Sequence, residues 1–347
     1  MAKTPTSVIG VDLGRYSLKS VRLQRRGSDR FAITHFASHV LDEPASTADA
    51  LAQQLKTLLK ELGGTAKACA VAVSSPEALI RIIEQPETPV ELLREALRLN
   101  GIALLNQDCK EFVLDCDKIP LDPNAAQGEQ SKSSPKRYLV GGLPRAQVTD
   151  IGSAFEKSNA AMSVMQLAPI CSFNAFEFAH PDIFNNGGFF LVDIGHTNST
   201  MMVGVKRELV LVRTIDFGGS ALTEALIGLT DEPREAVFSA LDHEDEVMVE
   251  YTRVALNALV REIQSSIGFL EHQRDQRIER IHVSGGPAKS RTLLKVMAEE
   301  LGLPCESWTA VDKCENGVPA NRRTQLENEA MDLNVACGAA AQLLKGN

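Results

Sequence analysis

The sequence predicts an α/β protein of two related halves, each ordered strand, strand, strand, helix, strand, with a third module inserted between them. Three observations carry this. An apolar strand with a single Asp runs into a glycine turn at Val11-Asp12-Leu13-Gly14, and again at Val192-Asp193-Ile194-Gly195. The same order of elements follows each copy, which argues for duplication rather than chance. The composition is globular: 44% of the 347 residues are hydrophobic and 23% charged, which excludes disorder and fibrous repeats.

Taken in order, residues 8–13 form an apolar run, the turn Gly14-Arg15-Tyr16-Ser17 follows, and residues 18–23 alternate as a strand. Residues 31–36 read as a third strand. Residues 48–62 form an amphipathic helix with Leu51, Leu55, Leu58 and Leu62 on one stripe, stopped by Gly63-Gly64. Residues 69–73 are a buried fourth strand. The pattern restarts with a strand over 189–194, the turn Gly195-His196-Thr197-Asn198, and strands over 200–205 and 208–214. Helices follow, including a packed helix over 251–273, and then a strand over 280–283. Between the halves, residues 91–99 and 147–158 read as helices, and 111–119, 137–143 and 163–167 as strands. A polar loop over 121–136 is expected to be mobile. A polar stretch over 313–329 is expected to run across the surface before the last helix, and 242–246 to open a helix as a solvated acidic run.

Charge and ends exclude several classes. The formal charge is −9, which leaves no electrostatic footprint for nucleic acid or anionic lipid. Aromatics are 5% of the chain, too few for stacking platforms that take sugars or unpaired bases. The seven cysteines never fall in CxxC spacing, so neither zinc nor a disulfide framework is indicated. No apolar leader and no run long enough for a bilayer is seen, so a cytoplasmic protein without direct membrane insertion is expected.

An Asp near the end of an apolar strand is costly unless a positive charge faces it. Turns such as 14–17 and 195–198 present backbone N–H groups as concave anion nests. Two such nests across a cleft, with Asp12 and Asp193 behind them, suit a polyphosphate with Mg²⁺ held through its waters. A third signal is Ser284-Gly285-Gly286-Pro287-Ala288 at a strand-to-helix turn, where glycines let a flat ligand approach the backbone. Neither GxxxxGK[ST] nor GxGxxG occurs, which excludes the P-loop and Rossmann solutions. Plainer readings stay open: Asp12 and Asp193 as caps of their own turns, Lys19 and Glu262 as solvated residues, Gly285 and Gly286 as packing glycines, and His196 as a turn residue.

Together these residues resemble the actin-like ATPase superfamily, and within it the PilM-type family of type IV pilus assembly, next to the FtsA division proteins. Residues 9–14 with Ser17 and Lys19 are similar to the first phosphate motif, residues 191–195 with Ser199-Thr200 to the second, and residues 281–288 to the adenosine motif. Residues 333–340 resemble the connecting helix whose small residues pack closely at the hinge. Segments 85–89, 217–225 and 259–266 are closer to the PilM type in particular.

The resemblance implies an actin-like (ribonuclease H-like) fold with ATP and Mg²⁺ in the cleft between the domains. Phosphates and metal would meet Asp12, Gly14, Arg15, Ser17, Lys19, Asp193, Gly195, His196, Thr197 and Asn198. Adenosine would meet Glu262, Gly285, Gly286, Pro287 and Ala288. It implies a first domain over 1–84, completed by about 168–185 and 331–347, an inserted 1C-type subdomain over 85–167, and a second domain over 186–330, helical at about 220–275. It also implies a scaffold that takes the N-terminal peptide of a PilN-like inner-membrane protein and works with the assembly motor ATPases. Hydrolysis would be weak or absent, and no catalytic residue is assigned. The alternatives are a sugar- or acetate-type kinase of the same superfamily and an FtsA-like division protein. Arg15 and Tyr16 stand where the family carries small residues, as do His196 and Pro287. Arg15 then either pairs with a phosphate or occupies the nucleotide's place.

Overall fold

The computed structural model describes residues 5–27, 30–64, 68–120, 135–241, 246–274 and 277–346. β1 (Ser7–Leu13), β2 (Ser17–Arg25) and β3 (Phe31–Val40) form an antiparallel meander, and α1 (Ala48–Glu61) leads to β4 (Cys69–Val73), parallel to β1. β1 and β4 are covered on both faces, which is why they read as continuous apolar runs rather than alternating ones. Thr47 caps α1 by accepting from the Ala50 N–H at 3.2 Å, and Gly63 and Gly64 end it at φ +81° and +84°.

The inserted part follows as β5 (Leu79–Gln85), α2 (Val90–Leu105), β6 (Phe112–Lys118), β7 (Lys136–Pro144) and α3 (Arg145–Lys157). Its three strands form their own antiparallel sheet, ordered β5-β7-β6. β5 lies where the sequence shows no clean strand pattern, because Arg81 and Glu84 interrupt its apolar residues. Tyr138 on β7 is fully buried; its hydroxyl donates to the Thr88 carbonyl and accepts from the Thr88 N–H, both at 2.8 Å. That pair of bonds pins the segment 85–89, which carries Pro86 before Thr88 and Pro89 directly after it. β8 (Met162–Leu167), grouped in sequence with the inserted module, pairs with β4 and extends the first sheet.

α4 (Ala168–Ala179) and α5 (Pro181–Asn186) cross to the second domain, where β9 (Gly188–Ile194), β10 (Ser199–Val205) and β11 (Glu208–Ile215) repeat the meander. α6 (Gly219–Thr230), α7 (Arg234–Leu241) and α8 (Glu246–Arg274) precede β12 (Ile281–Ser284), α9 (Arg291–Leu301) and β13 (Cys305–Ser307). The sheet order β11-β10-β9-β12-β13 repeats β3-β2-β1-β4-β8 of the first domain. The duplication read from two tetrapeptides is therefore one of topology.

The chain then returns to the first domain through β14 (Glu315–Asn316), α10 (Arg323–Glu329) and α11 (Asn334–Lys345). The stretch 313–329 is more than a surface crossing: β14 pairs with β3, and Val318 and Leu326 are buried. α11 lies against β1 and α4 at backbone contact. A Cβ on Gly10 would stand 1.9 Å from the Ala336 carbonyl oxygen, and one on Gly338 would stand 1.9 Å from that of Cys171. Of the polar loop over 121–136 and the acidic run over 242–246, residues 121–134 and 242–245 lie outside the described residues. Among those described, no helix is long and apolar enough to cross a membrane.

Candidate functional site

The site begins with strand register. Asp12 pairs with Lys19 across β1 and β2, and Asp193 pairs with Thr200 across β9 and β10, so the two halves close at the same step. Each turn folds back tightly. A Cβ on Gly14 would lie 2.6 Å from the Ser17 carbonyl oxygen, and one on Gly195 would lie 2.8 Å from that of Asn198. The Gly195 N–H donates to that Asn198 carbonyl at 3.0 Å. Only glycine fits such closures without moving the backbone. The two turns line opposite sides of one cleft of about 500 Å³.

The carboxylates differ in their support. On the β4 and β12 sides, Asp12 pairs with Ala72, whereas Asp193 pairs with Ser284. The Ser284 hydroxyl donates to Asp193 Oδ1 at 2.7 Å. Asp12 has no such neighbour, and its Oδ1 is buried without a hydrogen-bond partner. Lys19 Nζ stands 3.9 Å from Asp12 Oδ2. Burial pushes the Asp12 carboxyl up from 3.8 to about 6; Lys19 opposes that shift, and Asp193 and Asp332 add to it. Burial also raises the Asp193 carboxyl, against the pull of the Ser284 hydrogen bond and of Lys19. Two carboxyls whose ionised form burial disfavours, one with an orphaned oxygen, are groups that a nearby cation would relieve.

Beside the second turn, Gly285 takes φ +92°, and a Cβ there would lie 2.2 Å from the Ile194 carbonyl oxygen. The turn after β12 therefore sits directly on the end of β9, and Gly286 and Pro287 line the cleft beside it. Lys289 pairs with Asp332 at the same rim.

The structure brings Asp12, Gly14, Arg15, Ser17, Lys19, Asp193, Gly195, His196, Thr197, Asn198, Gly285, Gly286 and Pro287 into one lining. Ala288 is buried in the core behind it, and Glu262 is exposed on α8 and does not line the cleft. Lining residues that no motif marked include Ser74 and Ser75 after β4, Arg234 and Phe238 on α7, and Asp332 just before α11. For Ser74 and Ser75 a cue existed in their place after β4, the counterpart of Gly285 and Gly286 after β12. Arg234 and Phe238 had none.

Two duplicated sheet domains, with a cleft whose walls are the matching turns after the first strand of each, define an actin-like protein. The chain belongs to the family of the type IV pilus assembly protein PilM, whose family model matches residues 10–343. The fold is similar to the solved structure of a PilM-PilN type IV pilus biogenesis complex, with a TM-score of 0.81 and 21% identity over 99% of each chain. It is also similar to a diol dehydratase-reactivating factor in nucleotide-free form, with a TM-score of 0.55 and 7% identity over 96% of this chain and 99% of that one. The ethanolamine utilization protein EutJ from Carboxydothermus hydrogenoformans gives a TM-score of 0.52 and 15% identity, over 99% of this chain and 90% of that one.

Proposed function

We propose that this protein is a scaffold of a type IV pilus or related secretion machine. It takes the N-terminal peptide of a PilN-like inner-membrane protein beside the inserted module and Mg-ATP in the cleft. The observation that carries the reading is the family match through residues 10–343, which spans both phosphate turns and the whole inserted module. The solved relative is a complex with PilN. The acidic charge of −9 favours a basic peptide and disfavours direct contact with anionic lipid. The protein is then held at the inner membrane by its partner, where it meets the assembly motors.

In the cleft, Asp12 and Asp193 would hold Mg²⁺ through its waters, and Lys19 and the turn N–H groups would meet phosphate oxygens. The orphaned Asp12 Oδ1 and the two glycine turns fit that group. Bound Mg²⁺ would supply charge neutralisation for the phosphates. Gly286 would let a flat base lie against backbone, while Gly285 makes room for the end of β9. Arg15 and Arg234, both in the lining, would pair with phosphate oxygens.

Calorimetric titration with a synthetic PilN-type N-terminal peptide tests the scaffold, and titration with Mg-ATP tests the cleft. Saturable peptide binding is expected; phosphorylation of a small hydroxylated substrate would replace this reading with the kinase one. Asp12→Asn separates the cleft's function from its stability. The ionised Asp12 carboxyl is disfavoured by burial, and a shift of about two pH units corresponds to roughly 3 kcal/mol. Asp12→Asn is therefore expected to raise unfolding stability at pH 7 by about 1–3 kcal/mol while Mg-ATP binding falls at least tenfold. The sign follows from proton binding: between pH 3.8 and about 6 the folded state holds the proton more tightly, so this group's contribution declines as pH rises through that window. Unchanged Mg-ATP binding in Asp12→Asn would remove Asp12 from the metal site.

A further inference from the structure

The two phosphate turns touch through their side chains. The Tyr16 and His196 rings stack with centroids 4.2 Å apart and planes 16° from parallel. Tyr16 belongs to the first domain and His196 to the second, so the stack joins the two walls of the cleft at the end where the carboxylates sit. Both backbones are held in place. The Tyr16 carbonyl accepts from the Leu41 N–H at 2.9 Å, and the His196 carbonyl accepts from the Ser220 N–H at 2.8 Å. The region behind His196 is filled by backbone: a Cβ on Gly218 would lie 2.5 Å from the His196 carbonyl oxygen.

The chemistry of the pair suits an uncharged stack. Burial and the neighbouring Arg234, Arg15 and Lys19 hold the His196 imidazole below its ordinary value, against the pull of Glu224. Rings at van der Waals separation leave no room between them for a phosphate. A polyphosphate that reaches the N–H groups of both turns has to part them.

We propose that Tyr16 and His196 form an aromatic latch between the two domains, which a nucleoside polyphosphate must open to engage both turns. This rests on the reading of the cleft as a nucleotide site. The latch lowers affinity by its own closing energy. An aromatic stack of this kind corresponds to roughly a two- to tenfold change in an equilibrium. The same residues would set how far the domains stand apart, because the stack is a direct side-chain link across the mouth.

The test uses the full chain and the variants Tyr16→Ala, His196→Ala and Tyr16→Phe. Small-angle scattering without nucleotide reads the domain separation, and calorimetry reads Mg-ATP affinity. Both alanine variants are expected to show a larger radius of gyration and to bind Mg-ATP about two- to tenfold more tightly. Tyr16→Phe keeps a ring and is expected to restore the closed scattering profile. Alanine variants that bind Mg-ATP no more tightly than the parent, while the parent binds, overturn the latch and leave the nucleotide reading standing. If no protein binds Mg-ATP, the nucleotide reading falls. A scattering profile unchanged by Tyr16→Ala overturns the latch by itself. Tyr16 is exposed, so loss of its ring is compatible with folding.

Discussion

Gly338→Ala is expected to destabilise the protein by about 3 kcal/mol or more, although the change lies inside a helix, where alanine is ordinarily better than glycine by about 1 kcal/mol. The packing decides the sign. An added Cβ would stand 1.9 Å from the Cys171 carbonyl oxygen and 2.8 Å from the Ala175 backbone nitrogen. Both are atoms of α4, and neither can turn aside as a side-chain tip would. α11 and α4 would have to separate, and with them the core in which Cys337, Ala339, Ala340 and Ala341 of α11 are buried. The internal control is Gly152→Ala on α3 or Gly228→Ala on α6, where a Cβ would meet nothing within 4 Å. There the helix preference stands alone, and a gain of about 0.5–1 kcal/mol is expected. Denaturant midpoints of the three variants check both signs. A Gly338→Ala protein as stable as the parent would mean that the α11–α4 contact opens without cost.

The same contrast between local pattern and tertiary contact explains what the sequence made legible. Asp12 and Asp193 stood out because a carboxylate inside an apolar strand violates the local rule, and it does so twice at the same step of a repeated order. Gly14, Gly195 and Gly285 were visible for a related reason, since tight turns and a positive φ leave few residue choices. The small-residue run 333–340 announced close packing, and the Gly338 contact is that packing. Arg234 and Phe238 were silent because α7 has no counterpart in the first half and its pattern is that of any surface helix. Glu262 shows the converse. The alternation of Leu259 and Ile263 puts them in the core, yet nothing local says which elements border the opposite face of α8. Tyr16 and His196 were readable as departures from small residues, but their contact joins turns that only the domain arrangement brings together. β5 was hidden because a short strand broken by Arg81 and Glu84 has no period of its own. Its strandness comes from pairing with β7.

Arg137→Ala is expected to cost about 3–5 kcal/mol, the range for removing one partner of a buried ion pair. Arg137 lies on β7 of the inserted module and its guanidinium pairs with Glu208 on β11 of the second domain; their side chains are only 14% and 6% exposed. The second arm of the guanidinium donates to the Val210 carbonyl at 2.8 Å. Replacing Arg137 alone takes this cation from the buried Glu208 carboxylate and a donor from the Val210 carbonyl, and both groups stay out of water. The double replacement Arg137→Met with Glu208→Leu removes both charges at similar volume. It is expected to return stability to within about 1 kcal/mol of the parent, because an ion pair in such a place roughly balances its own desolvation. Denaturant unfolding of the single and double variants gives the coupling directly. If the single variant loses less than about 1 kcal/mol, water reaches the pair and it acts as a surface contact. The position matters beyond its energy. By chain order the inserted module is an outgrowth of the first domain, and its β5 and α3 border that domain's own strands. The Arg137 bonds to β11 tie it to the second domain as well. The module therefore touches both bodies that the Tyr16–His196 stack joins at the cleft mouth, and rotation of one domain against the other has to break or carry the Arg137 contacts.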